Sequence, residues 1–230
     1  MNSLKNILAR GGIEFLAVML GISGSLWIDD SSINRNDRTE EFEAYSRLSN
    51  ALEQDISNIE KALIENNEMV GILKKMIENI DSISKDSLSA YIDSTQGYTS
   101  MNPQYSDYEA LKSTGRLYKI SDFDLLQKII DLYDNKYDAI SRLEVEDKRA
   151  VFMQDEFFIN NYAMKPSSKW TTLKNINEDF ERIKQDLVYM NYLVFMYKIK
   201  IDINKSWASL IDDIKNVKTG IDFQIANRSQ

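Results

Sequence analysis

Breaker residues are scarce enough to decide the fold class. In 230 residues there are two prolines, Pro103 and Pro166, and eight glycines. Sandwiches, barrels and many-looped α/β folds need far more turn chemistry than that. The chain is therefore read as all-α, built from long uninterrupted helices. Its apolar fraction of 43% is enough to bury a core rather than leave a disordered polymer.

Residues with two kinds of chemistry are missing. There is no Cys, which excludes disulfides, thiolate nucleophiles and Cys zinc sites. There is no His, which removes the commonest general base, Ser-His-Asp triads and the Glu-x-x-His di-iron bundle. The net charge is −8, with 28 basic against 36 acidic residues and no basic stripe, so no nucleic-acid partner is expected. Neighbouring acids such as Glu40-Glu41, Asp122 with Asp124, and Asp212-Asp213 read as solvated helix faces rather than metal sites. No catalytic residue, metal ligand or cofactor is assigned, and the chain is read as not an enzyme.

The strongest single segment is Ile13 to Ile28, IEFLAVMLGISGSLWI, in which only Glu14 is charged. Lys5 and Arg10 precede it, Trp27 sits at its end, and Asp29-Asp30 follow. Sixteen helical residues rise ~24 Å, a little short of a ~30 Å hydrocarbon core. A single-pass membrane anchor is the leading reading; a cleaved signal peptide and a buried core helix are the alternatives. Ala17, Gly21 and Ser25 fall at i, i+4 and i+8 with Gly24 beside them, a stripe that lets two helix backbones approach in lipid. Glu14 shares that side, and Arg10 lies four residues before it, within pairing reach. These residues, Glu14, Ala17, Gly21, Gly24 and Ser25, with Arg10 pairing Glu14, are the expected membrane-helix association site. The positive-inside rule leans to a cytoplasmic N-terminus in a bacterial inner membrane.

Behind the anchor, residues 31–38 are expected to form a polar linker and residues 39–220 a helical bundle, with 221–230 as a tail. Ile56, Leu63, Val70 and Ile77 recur every seven residues, with Leu52, Ile59, Leu73 and Ile80 as the second series. That spacing predicts one helix of about 45 residues with a coiled-coil-like seam. Asn66 interrupts the second series, either as a tolerated core polar residue or as a register device. A helix ~65 Å long has more seam than a short domain covers, so subunit contacts along it are expected. Residues 82–105 hold Gly97 and Pro103 and read as an irregular, surface-bearing loop after a short helix near Leu88–Ile92. Lys112 to Arg116 shares letters with a phosphate loop but lacks its order; Gly115 reads as a helix C′ residue. A helix from the Ser121-Asp122 cap to about Ala163 and another from about Thr172 to Val217 complete an elongated antiparallel bundle. Leu187–Ile203 is apolar and aromatic, but Lys198, Lys200 and Asp202 interrupt it, so it reads as a bundle helix and not a second span.

Glu14, Val18, Gly21 and Ile22, with apolar residues between, resemble the membrane segment of an uncharacterised family of small bacterial membrane proteins that carry an E-x-x-x-V-x-x-G-I run near the N-terminus. Ala110-Leu111-Lys112-Ser113-Thr114-Gly115 is similar to a second motif of that family, A-L-K-S-[ST]-G. The family's Asn-Asn-Trp after the span is replaced here by Trp27 followed by Asp29-Asp30. The resemblance implies a membrane anchor, a helical domain and a bacterial source, and no reaction.

Three functions compete on this sequence. The first is a non-catalytic, membrane-anchored helical interaction protein (a sensor, scaffold or adaptor) that acts as a homo-oligomer, with the lipid bilayer and an unknown protein as partners. The second is a pore-forming membrane effector, as in a bacterial defence or toxin system, with Glu14 lining the assembly. An enzyme is the third and has no motif behind it.

Overall fold

The computed structural model describes residues 2–167 and 170–228, with side chains described from Arg38 through Asn227. It is all-α apart from a minimal hairpin. Helix α1 spans Asn2–Asn79. Then come α2 (Lys85–Thr95), α3 (Tyr105–Ser113) and α4 (Phe123–Asp131), which passes through a wide π turn (Leu132–Lys136) into α5 (Tyr137–Asn161). Strands β1 (Met164–Pro166) and β2 (Thr171–Leu173) pair antiparallel, and α6 (Ile176–Lys184) leads into α7 (Leu187–Arg228).

The bundle has four legs. Contacts between α1 and α7 step in opposite directions: Ser49 meets Asp222, Glu53 meets Lys218, and Asn66 meets Lys200 and Asn204. Asp55 reaches Tyr137 while Glu41 reaches Ser121, so α4 and α5 run beside α1 in its own direction. The stretch from α2 to α3 is the second leg, returning along α1, and residues 96–104 form a break in its middle. The topology is thus up-down-up-down, as the antiparallel bundle expectation had it.

The heptad seam of α1 is a real packing surface, but its cover comes from the same chain. Leu52 and Ile59 are buried in one cluster with Trp207, Leu210, Ile214, Val217 and Ile221 of α7, and Leu73 is buried in a second with Tyr189, Leu193 and Met196 of the same helix, while Leu63, Val70, Ile77 and Ile80 are half-buried. The length of α7 allows this cover: at ~1.5 Å per residue its 42 residues run ~63 Å, matching the seam.

Several boundaries differ from the sequence reading. Residues 31–38 lie within α1 and are helical, so no break separates the apolar run from the bundle. Thr219-Gly220 does not stop the last helix; α7 continues to Arg228 with Ile221 buried. Gly220 marks a close approach instead, since a Cβ there would lie 2.9 Å from Leu125 Cδ1 of α4. The expected helix from Thr172 is split: β2 takes Thr171–Leu173, and Asp186 caps a new start by accepting the Val188 and Tyr189 amides at 2.9 and 3.1 Å. Gly115 does sit at a helix end in the left-handed conformation, φ 74°, and Asp122 caps α4 through the Leu125 amide at 3.0 Å.

Two hydrophobic clusters fill the bundle. One joins the first half of the α1 seam to α3, α4 and the C-terminal half of α7. The other joins Leu73 and Met76 to α2, the second half of α5, the hairpin, α6 and the start of α7. Among the described residues no helix is long and apolar enough to cross a membrane. The stretch Leu187–Ile203 buries only one face (Tyr189, Leu193, Met196, Ile203), as a bundle helix does.

Candidate functional site

The residues expected to associate membrane helices, Arg10, Glu14, Ala17, Gly21, Gly24 and Ser25, lie on the N-terminal portion of α1; their side chains fall outside the described residues. The chemistry on view therefore belongs to the bundle, at two places.

The first is a polar layer between the hydrophobic clusters, opposite the break in the second leg. A strand of backbone without a helix must find acceptors for its amides. Carboxylates from α5 and α1 supply them. Glu144 accepts from the Met101 amide at 3.0 Å, from Ser100 Oγ at 2.6 Å and from Trp207 Nε1 at 3.2 Å. Asp55 accepts from the Gln104 amide at 2.8 Å and from the Tyr137 hydroxyl at 2.7 Å. Burial pushes the Asp55 carboxyl above its ordinary range, with both hydrogen bonds opposing. Residues 96–104 are consequently fastened to the core, in contrast to the free surface loop expected from their composition.

Asp147 completes the layer. Its Oδ2 lies 3.0 Å from Lys200 Nζ, and both side chains are fully enclosed, at 1% and 0% exposure. Burial raises the Asp147 carboxyl and lowers the Lys200 ammonium; their mutual attraction opposes both shifts, and the Thr99 backbone amide also favours the ionised carboxylate. Asn66, the residue interrupting the heptads, donates from Nδ2 to the Lys200 carbonyl at 3.0 Å and to Asn204 Oδ1 at 2.7 Å. It fixes the register of α1 against α7 inside one chain. Beyond this layer, Tyr133 at the π turn stacks on Tyr108 at 4.3 Å and meets Tyr137 edge-on at 5.0 Å. Burial pushes all three hydroxyls upward, which keeps them neutral.

One member of each acidic pair singled out by the sequence is likewise occupied. Glu41 accepts from the Ser121 amide at 2.7 Å, Asp122 caps α4, and Asp213 pairs with Lys136 at 3.3 Å. Among the described residues no group of three acidic side chains is placed to hold a metal ion.

The second place is a cleft of about 380 Å³ between α5 and the hairpin, lined by Phe152, Asp155, Ile159, Met164 and Trp170. Three of its apolar walls are open to solvent: Phe152 at 54%, Ile159 at 71% and Trp170 at 65%. Asp155 Oδ1 is shut from solvent with no hydrogen-bond partner, and burial alone raises the carboxyl to about 6. The hairpin tip is anchored: Asp93 Oδ1 accepts from the Trp170 amide at 3.0 Å and from Ser167 Oγ, and Gln96 Oε1 accepts from Thr171 at its amide and hydroxyl. None of these residues was singled out from sequence. The available signal was a second apolar stripe on α5, Val145, Phe152 and Ile159 at seven-residue spacing, off the buried face.

No family model, curated protein or solved structure matches this chain.

Proposed function

We propose that this is a non-catalytic, membrane-anchored helical interaction protein (a sensor, scaffold or adaptor) working as a homo-oligomer in a bacterial inner membrane. The observation that carries the reading is the continuity of α1. One helix of 78 residues, ~117 Å at the usual rise, contains both the apolar run Ile13–Ile28 and the seam of the bundle. A helix without a break passes rotation or translation of its N-terminal part to the α1–α7 interface. The occupied carboxylates of the polar layer fit a protein whose buried polar residues set structure rather than perform a reaction. Self-association falls to the stripe Ala17, Gly21, Gly24 and Ser25, with Glu14 facing Arg10 or a neighbouring helix.

Chemical crosslinking in native membranes, compared between the natural chain and Gly21→Leu, tests this. Ladders of the natural chain that collapse in the variant are expected. A protein that stays monomeric in the bilayer, or that does not float with lipid in a sucrose gradient, overturns the proposal. Ion leak from reconstituted vesicles, abolished by Glu14→Leu, replaces it with the pore-forming effector.

A further inference from the structure

We propose that a second copy of this chain is the partner of two exposed stripes: α7 of one copy packs on α5 of the next, antiparallel and at the same level. This deepens the homo-oligomer reading and rests on it. Both stripes repeat every seven residues. On α5 the stripe is Val145, Phe152 and Ile159; on α7 it is Val188 and Phe195, with Leu187 and Val194 beside them. All seven stand open to solvent in the single chain. Seven-residue spacing is the period of a knobs-into-holes seam, and a cluster of exposed apolar side chains marks a contact surface.

The levels of the two stripes along the bundle coincide. Within the chain α5 and α7 run antiparallel: Tyr189 stacks on Phe157 with ring centroids 5.9 Å apart, and Lys200 pairs with Asp147 at 3.0 Å. That register puts Val188 level with Ile159, Asn191 with Glu156, and Phe195 with Phe152. Rotation about an axis along the bundle, the symmetry of copies anchored in one membrane, leaves every level unchanged. Laying α7 of one copy on α5 of the next therefore sets apolar on apolar at two rungs. Between them the exposed Asn191 amide meets the exposed Glu156 carboxylate. Phe152 and Ile159 also wall the cleft with Met164 and Trp170, so Val188 and Phe195 arrive beside a recess that takes knobs. At the next rung Lys198 is level with Arg149, and Asp202 and Glu146, one turn on, offset both charges; within each chain they already pair as Lys198–Asp202 and Arg149–Glu146. A foreign partner needs no match of level and period between two stripes of one chain, whereas a second copy does. Pairing α5 with α5 in copies of the same orientation would set Glu156 on Glu156, which favours the α5–α7 contact. About three turns of helix is small beside the ~800 Å² per partner of a standard interface, so the contact serves chains that a shared membrane already holds side by side.

The chain has no native Cys, so disulfide trapping in native membranes tests the contact. Full-length chains with different tags, one carrying Val188→Cys and the other Ile159→Cys, are co-expressed and oxidised; Phe195→Cys with Phe152→Cys is the second pair. Each mixture is expected to give a band that carries both tags and is lost on reduction. Each variant alone should give none, and neither should Ile159→Cys with Ile64→Cys, an exposed position on α1 at another level. Amine crosslinking of the same membranes separates this contact from the reading beneath it. A crosslinked ladder without the mixed disulfides leaves the homo-oligomer standing and overturns the contact; neither ladder nor disulfide overturns both. Single variants that link to themselves as well as the mixtures do would mean a seam of like with like, and that also overturns the contact.

Discussion

Replacing Lys200 by Met keeps the buried methylene stem and removes only the charge. At 3.0 Å the ion pair attracts by roughly 5–6 kcal/mol at an effective dielectric of about 20. Enclosing two ions costs several kcal/mol each, so the pair as a whole contributes close to nothing net. The single variants are a different matter. Lys200→Met leaves Asp147 buried without its cation, and Asp147→Leu leaves the ammonium with only Asn66 Oδ1 at 3.4 Å. Each should lose about 3–5 kcal/mol. The double variant removes both ions and should come within about 2 kcal/mol of the natural protein, a coupling of several kcal/mol. The assay is equilibrium urea unfolding followed by the fluorescence of buried Trp207. The sign with pH follows from the raised carboxyl. In Lys200→Met the folded Asp147 holds its proton to a higher pH than the unfolded one, so stability should rise as pH falls. Single losses below about 1 kcal/mol, or a double variant equal to the sum of the singles, would refute the reasoning.

Other outcomes follow from the same geometry. Asp155→Asn should stabilise the fold at neutral and higher pH by on the order of 1 kcal/mol, because burial penalises the ionised carboxyl and partial solvation limits the penalty. The advantage should fade below about pH 6, where the natural carboxyl is itself protonated; thermal melts at the two ends of the range check it. Asn66→Ala should cost about 1–3 kcal/mol in urea unfolding, since the Lys200 carbonyl and Asn204 lose their donor. Glu144→Ala should free residues 97–104 and leave the bundle folded, seen as faster amide exchange at Met101 and a shifted Trp207 emission. Gly220→Val should lose about 1–3 kcal/mol by pressing on Leu125, whereas Gly220→Ala should stay within about 1 kcal/mol because better helix propensity offsets a methyl that can shift.

What the sequence made legible was local. Spacing of three and four located the α1 seam, and turn chemistry located Gly115 and the Asp122 cap. What it hid was decided by partners distant along the chain. Asn66 looks like a fault in a heptad until Lys200 and Asn204, more than 130 positions later, fill its bonds. Gly220 carries the letter of a helix stop, yet its lack of a side chain serves the close passage of α4. The Ser/Thr/Tyr-rich composition of 96–104 resembles that of a free loop, because nothing nearby in sequence announces that Asp55 and Glu144 will take its amides. The cleft was hidden for a related reason. Phe152 and Ile159 sit on the polar side of an amphipathic helix, and Trp170 comes beside them only through the hairpin.

The account turns on one helix joining the apolar run to the bundle. With no native Cys to interfere, spin labels on cysteines introduced at Asp30 and Arg47 report that distance directly by pulsed electron resonance in nanodiscs. Seventeen helical steps give a single narrow distribution near ~26 Å. A broad distribution, or one centred well below that distance, would mean that residues 31–38 are a flexible linker and that the apolar run and the bundle move independently.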